Sequence, residues 1–176
     1  MSHFPDLAAS PYQIIRELGH NRSGGRVTYL ASDTRTQELV VLKQFQFARV
    51  DADWSGYKAY EREINVLRQL NHPGIPRYLD SFETPGGFCL VQEYKPAIAL
   101  SASQSLTPQD VKRVAIELLE ILVYLQDRFP PVIHRDIKPE NILIGQPDES
   151  GHRSVYLVDF GFARIGQGEM TMSSAI

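Results

Sequence analysis

The sequence predicts an α+β chain: a five-stranded antiparallel sheet with one helix, followed by a smaller helical part that carries a polar loop. Three observations predict it. Short runs rich in Val, Ile, Leu, Tyr and Phe recur through residues 12–94, bounded by Gly, Pro, Asp and Ser. Residues 53–70 and 107–125 instead carry apolar side chains every three or four positions, the period of a helix face. Lastly, His134 to Asn141 reads H-R-D-I-K-P-E-N, a polar segment between the apolar runs 132–133 and 142–144. A polar loop held between two buried, strand-like runs is aimed at something. This one presents a base (Asp136), a cation (Lys138) and a metal ligand (Asn141) to one substrate.

Residues 12–18 read as a first strand and 27–31 as its return. Between them Gly19-His20-Asn21-Arg22-Ser23-Gly24-Gly25 is rich in residues that tolerate positive φ, so the pattern specifies a hairpin. The same glycines would let backbone N–H groups approach a polyphosphate closely. Gly19 and Gly24 have the outer spacing of a Walker A loop. Gly25 and Arg26 stand where that motif needs Lys and Ser or Thr, and strand follows instead of helix, which excludes it. After the polar turn 33–37, residues 38–47 form a strand with Lys43 inside it. A lysine in so apolar a strand either snorkels to the surface or is paired.

Residues 53–70 form an amphipathic helix with Tyr57, Tyr60, Ile64 and Leu67 on one face, capped by Asp53 or Ser55. Glu61 and Glu63 lie among them. Two prolines and a glycine in 71–76 end the helix. Residues 77–83 and 87–94 are strands about the turn Thr84-Pro85-Gly86, completing the sheet. Residues 96–106 lack pattern and mark the boundary between one unit, 12–95, and a second, 96–165, with tails at 1–11 and 166–176. Thr107-Pro108-Gln109-Asp110 starts a helix, with Thr at N-cap, Pro at N1 and an acid at N3. Val111, Val114, Ala115, Leu118, Leu119, Leu122 and Leu125 follow as its core stripe. Residues 146–153 are a polar turn between two short strands.

The 176 residues are 43 % hydrophobic and 22 % charged, the composition of an ordinary soluble globular protein. A net charge of −3 leaves no broad footprint for nucleic acid or anionic membrane. Cys89, the single cysteine, reads as a small core residue in a reducing compartment. No stretch approaches the ~20 apolar residues that span a bilayer, and residues 1–10 have no signal-peptide pattern. The expectation is a cytoplasmic protein with no nucleic-acid or membrane partner.

Asp159-Phe160-Gly161 follows Asn141 by 18 residues, at the end of the apolar run 155–158. H-R-D-I-K-P-E-N with D-F-G at this distance resembles the eukaryotic-type serine/threonine protein kinase family, in a bacterial-looking form. V-V-L-K at 40–43 is similar to that family's V-A-I-K strand. Glu63 heads an E-x-x-x-L-x-x-L-x-H-P arrangement ending at His72-Pro73, like the helix glutamate that partners the strand lysine. The resemblance covers residues of about 12–165. It implies a protein-kinase-like N-lobe, with an incomplete helical C-lobe truncated after D-F-G.

It also implies ATP and Mg²⁺. Asp159 and Asn141 would chelate Mg²⁺. Asp136 would orient the acceptor hydroxyl and take its proton, and Lys138 would neutralise the γ-phosphate. Lys43 would contact the α- and β-phosphates, held by Glu63, with Glu61 as the fallback. Leu18, Gly19, Gly24 and Gly25 would cover the nucleotide. Val27, Val41 and Leu143 would sandwich adenine, Gln92 would flank it, and the backbone of Glu93, Tyr94 and Lys95 would bond it. Leu67, Tyr78, His134 and Phe160 match positions that stack between the lobes.

The glycine pattern G-x-G-x-x-G-x-V is matched only in part. Gly19 takes the first place, and Gly25 and Val27 the last glycine and the valine. The loop is one residue longer, with Asn21 or Arg22 in the middle glycine's place, so Arg22 is expected to supply charge there. Arg135 implies a grip on a phosphorylated activation segment, with Thr171, Ser173 and Ser174 as candidate phosphosites. Lys138 resembles the serine/threonine branch, so the implied partners are protein substrates with Ser or Thr acceptors, and a partner completing the C-lobe. Two other classes stay open: a nucleotide-binding pseudokinase or regulatory fragment, and a structural fragment that folds on a helical subdomain.

Overall fold

Alternating side chains in the first half of the chain give each strand two usable faces, and the five strands found there pair into one sheet. They are β1 (Tyr12–Asn21), β2 (Arg26–Asp33), β3 (Leu39–Phe45), β4 (Tyr78–Thr84) and β5 (Gly87–Glu93). Their order is β1-β2-β3-β5-β4, with every neighbouring pair antiparallel. The computed structural model describes residue 7 and residues 10–21, 25–46, 55–103 and 106–166, apart from the side chains at 21, 55, 56 and 59. Arg22, Gly24, Asp53, Thr171, Ser173 and Ser174 lie outside the described residues.

Register decides which side chains reach which face. Residues opposed across an antiparallel pair share a face, and so do residues two apart. Thr28 opposes Lys43, Lys43 opposes Leu90, and Val41 opposes Gln92. Arg26, Thr28, Val41, Lys43 and Gln92 therefore share the lower face. The upper face buries Val27, Tyr29, Ala31, Val40, Leu42, Cys89 and Val91 with Tyr12, whose ring stacks on Phe82 at 5.6 Å. Val27, expected against adenine, is thus a core residue of the opposite face. Cys89 is the small core residue the sequence predicts, and burial pushes its thiol up to about 12.

The turn into β2 sets the position of Arg26. Gly25 has φ +57°, and a Cβ there would meet the Gln46 carbonyl oxygen at 2.9 Å. The Gln46 N–H donates to the Gly25 carbonyl at 2.7 Å. This left-handed glycine feeds the chain into β2 with Arg26 as its first residue.

Helix α1 (Ser55–Leu67) lies under the sheet. Tyr60, Ile64 and Leu67 are buried as the spacing predicts, and the Tyr60 ring meets Phe45 edge-on at 5.3 Å. The helix ends three residues earlier than expected, and Leu70 closes a following turn.

Among its described residues the second part holds α2 (Pro108–Gln126) and five short strands: β6 (Ala97–Ala99), β7 (Val132–Ile133), β8 (Ile142–Gly145), β9 (Val155–Leu157) and β10 (Arg164–Ile165). Strands β6, β8 and β9 form one small sheet, and β7 pairs with β10. The capping box at Thr107 is present. The Thr107 N–H donates to Asp110 Oδ2 at 2.9 Å, and the Asp110 N–H donates to Thr107 Oγ1 at 3.1 Å.

The stripe of α2 differs from the expectation. Val114, Ile121 and Leu125 are buried against β7 and β9, with Leu118 and Leu122 half-buried. Val111, Ala115 and Leu119 are exposed, together with Ile116 and Val123. A 3.6-residue period puts 114, 118, 121 and 125 on one line, and Ala115 and Leu119 fall outside it. Among the described residues no helix is long and apolar enough to cross a membrane.

Candidate active site

Lys43 sits in the middle of β3 and is only 6 % exposed. Its Nζ donates to Glu63 Oε1 at 2.5 Å, so it is paired and does not snorkel. Glu63 is fully buried because Tyr60, Glu63, Ile64 and Leu67 recur at three- and four-residue steps on the face that α1 turns to the sheet. Glu61 lies on the outer face and accepts from the Tyr57 hydroxyl at 2.7 Å. The fallback residue is therefore not the partner. Among the described residues Glu63 Oε2 has no hydrogen-bond partner, and it lies 4.0 Å from an Arg26 guanidinium nitrogen.

The catalytic-type loop is organised by its own residues. Asn141 ends a 3₁₀ turn (Pro139–Asn141), and its Nδ2 donates to both the Asp136 carbonyl (2.8 Å) and Asp136 Oδ2 (2.9 Å). Lys138 Nζ donates to the same Oδ2 at 2.8 Å. The Val158 N–H donates to the Asn141 carbonyl at 2.9 Å, which ties the loop to the segment leading to Asp159. His134 spans the two. Its Nε2 can only donate to the Val158 carbonyl (3.1 Å), while Nδ1 accepts from the Asp136 N–H (3.3 Å). Those two bonds fix a neutral imidazole protonated on Nε2.

Asp159 has left-handed backbone, φ 68°, unusual for a residue with a side chain. Its carboxylate receives a two-pronged grip from Arg26, at 2.7 Å to Oδ1 and 2.6 Å to Oδ2. Burial alone would raise this carboxyl. The Arg26 hydrogen bonds and the nearby charges of Lys43 and Arg26 outweigh it and hold the group well below the usual carboxylate range. Arg62 donates to the Gly161 carbonyl at 2.9 Å, so α1 and the Asp159-Phe160-Gly161 segment are fastened together. The His134 ring meets Phe160 at 4.7 Å; Leu67 is buried in the same core, and Tyr78 packs against it.

Lys43, Asn141 and Asp159 share one cleft of about 520 Å³ between the five-stranded sheet and β8, whereas Asp136 and Lys138 are not among its lining residues and Asp136 is joined to it through Asn141. Lys43, Asn141 and Asp159 line its polar end. Leu18, Gly19, Val41 and Leu143 line the rest, closed by the segment from Gln92 to Lys95. Gly25 and Val27 are not among the lining residues. Arg26 and Thr28 take those places, and neither is flagged by the sequence pattern. Counting the phase of β2 back from Lys43 across the β2–β3 turn finds them once the pairing is fixed, since Thr28 opposes Lys43 and Arg26 lies two residues before it. Glu93 is held by Lys95 at 2.7 Å and Arg77 at 3.4 Å.

Residues 12–176 match the family model described as the protein kinase domain. The chain belongs to the protein kinase domain family. It is similar to serine/threonine-protein kinase D of Synechocystis sp., 34 % identical over 93 % of this chain and 32 % of that protein. It is also similar to serine/threonine-protein kinase TIO of Arabidopsis thaliana, 35 % identical over 90 % of this chain and 11 % of that protein. Serine/threonine-protein kinase tousled-like 1 of Caenorhabditis elegans is 28 % identical over 96 % of this chain and 18 % of its own length. The chain thus spans a third or less of these relatives.

The polar end of this kinase domain fits a divalent cation. The Asp159 carboxylate already takes a cationic partner on both oxygens, and the Asn141 amide, with its NH₂ turned to Asp136, has its oxygen left for a ligand role. Hard cations prefer such oxygen donors.

Neutral His134 carries a pH prediction. Burial lowers its affinity for a proton, and burial does the same for His72. The unfolded chain takes up protons near pH 6.5, where the folded kinase domain does not. Stability is therefore full above that pH and falls as pH drops through it, by up to about 1.4 kcal/mol per pH unit for each group. Urea unfolding at pH 7.5 and 5.5 should show the loss, and His134→Asn should remove roughly half of the difference while lowering stability at both pH values. An unchanged pH dependence in that variant would count against the assignment.

Proposed function

We propose that this domain is an ATP- and Mg²⁺-dependent protein kinase that transfers the γ-phosphate to Ser or Thr hydroxyls of protein substrates. The observation that supports it best is the meeting of Lys43, Asn141 and Asp159 in one cleft, with Lys43 paired to Glu63. Val41 and Leu143 offer the apolar walls a planar base needs, beside the backbone of Glu93 to Lys95. Lys43, oriented by Glu63, binds the α- and β-phosphates. Asn141 and Asp159 hold the metal, which supplies charge neutralisation on the phosphates. Asp136 accepts the hydroxyl proton as the acceptor oxygen forms its bond to the γ-phosphorus and ADP leaves. Lys138, beside Asp136, meets the γ-phosphate. Positioning and charge do most of this work, since the transferred group needs little covalent help.

The exposed apolar residues of α2 (Val111, Ile116, Leu119 and Val123) support a further helical partner on that side. One observation favours a second reading, a nucleotide-binding regulatory module: both Asp159 oxygens are engaged by Arg26. Thermal unfolding with and without Mg–ATP tests the common part. Saturation at about 100 times Kd should add roughly 2.7 kcal/mol of stability, read as a rise in Tm of several degrees. No shift at millimolar Mg–ATP would refute both readings. A shift without phosphate transfer to a generic basic protein would leave the regulatory one.

A further inference from the structure

We propose that Arg26 competes with the divalent cation for Asp159, so that this one side chain sets how strongly nucleotide binding depends on Mg²⁺. The inference rests on the Mg–nucleotide reading of the cleft. Three features of the fold carry it. The guanidinium takes both carboxylate oxygens, at 2.7 and 2.6 Å, in the planar fork geometry that arginine forms with carboxylates. A Mg²⁺ ion binds carboxylate oxygen at about 2.0–2.1 Å. An ion on either oxygen would set two cations against one carboxylate, so each partner weakens the other's hold on it. Second, Arg26 is built to be there. It follows the left-handed Gly25 and shares the lower face of the sheet with Thr28 and Lys43. Third, it is held from the cleft side. Its side chain is 21 % exposed; of its other acidic neighbours, Glu63 is 4.0 Å away and already bonded to Lys43, and Asp136 attracts it without a hydrogen bond and is already bonded to Lys138 and Asn141. Nothing else among these contacts keeps it from swinging out when a cation arrives.

Arg26 is thus a positioning residue. It neutralises Asp159 against the phosphates when metal is scarce and yields the carboxylate when metal is plentiful. Its removal has two effects of opposite sign. Metal-free nucleotide binds more weakly, because Asp159 then faces the phosphates unscreened by the guanidinium. Metal-loaded nucleotide binds more tightly, because no competitor has to leave.

The test is calorimetric titration of ADP with and without 10 mM Mg²⁺, taking the ratio of the Kd without Mg²⁺ to the Kd with it. Arg26→Met is expected to raise this ratio at least tenfold over the unsubstituted chain. Arg26→Lys keeps the charge but loses the fork, and should fall between the two, which keeps the test open if the Met variant folds poorly. In an Asp159→Asn background the Arg26→Met change should leave the ratio unaltered. Equal ratios in the unsubstituted chain and both Arg26 variants, with Mg–ADP binding intact, overturn the competition alone. Absence of ADP binding in the unsubstituted chain, with and without Mg²⁺, overturns the nucleotide reading and the competition with it.

Discussion

Asp136→Asn is expected to lower phosphate transfer by about 10²–10⁴-fold while leaving Mg–ATP affinity within a few-fold of the unsubstituted domain. Asp136 makes four contacts at once. Oδ2 accepts from Asn141 and from Lys138, the backbone carbonyl accepts from Asn141, and the backbone N–H donates to His134. An asparagine keeps the shape and one accepting oxygen, so the loop should hold its course. What it loses is the basicity that receives the acceptor proton and the charge that anchors Lys138. The separation of effects is the useful part. A loss of nucleotide affinity equal to the loss of turnover would mean that the loop had collapsed, and nearly unchanged transfer would remove Asp136 from its proposed role. Single-turnover transfer to a basic protein, beside a binding titration, reads both.

Lys43→Met should destabilise the fold by about 3–5 kcal/mol in urea unfolding at neutral pH, an effect independent of any activity. The reason is the partner left behind. Glu63 is fully buried, its Oε2 has no hydrogen-bond partner among the described residues, and Arg26 at 4.0 Å is engaged with Asp159. Removing the ammonium strands a carboxylate in a nearly dry site. Removing both charges together is a different experiment. The double variant Lys43→Met with Glu63→Leu should recover most of the lost stability, because well-packed apolar side chains replace a buried pair at little cost. Equal losses in the single and double variants would show that the pair is not the source. Nucleotide binding should be weakened in both, so stability and binding part company only in the double variant.

Much of the site is legible in the sequence because its residues are set by local pattern. His134 to Asn141 lie in one loop, and its internal bonds run over two to five residues, from Lys138 to Asp136 and from Asn141 to Asp136. Glu63 is separable from Glu61 because helix phase follows from the apolar positions 60, 64 and 67. The capping box at Thr107 is equally local. The differences share another cause. The motif puts Val27 in the cleft, whereas its side chain points into the upper core, and Arg26 and Thr28 stand in the cleft instead. Strand faces alternate with a period of two, so one residue of uncertainty in the glycine turn reverses every assignment along β2. Strand β6 is not legible because three residues, Ala-Ile-Ala, carry no readable period; pairing with β8 makes them a strand.

By itself, the order of residues determined the five strands of the large sheet and the two helices, where α2 begins, and which polar side chains belong to the loop that ends at Asn141. Those outcomes depend on dihedral preference, capping and helical phase, all of which act over a few positions. Only the tertiary structure decided that Arg26 grips Asp159, from 133 positions away in the chain, and that Ile121 rather than Leu119 turns inward on α2. Both depend on how strand register and helix rotation settle against neighbours distant in sequence, where packing and charge pairing select among faces that local preference leaves nearly equal.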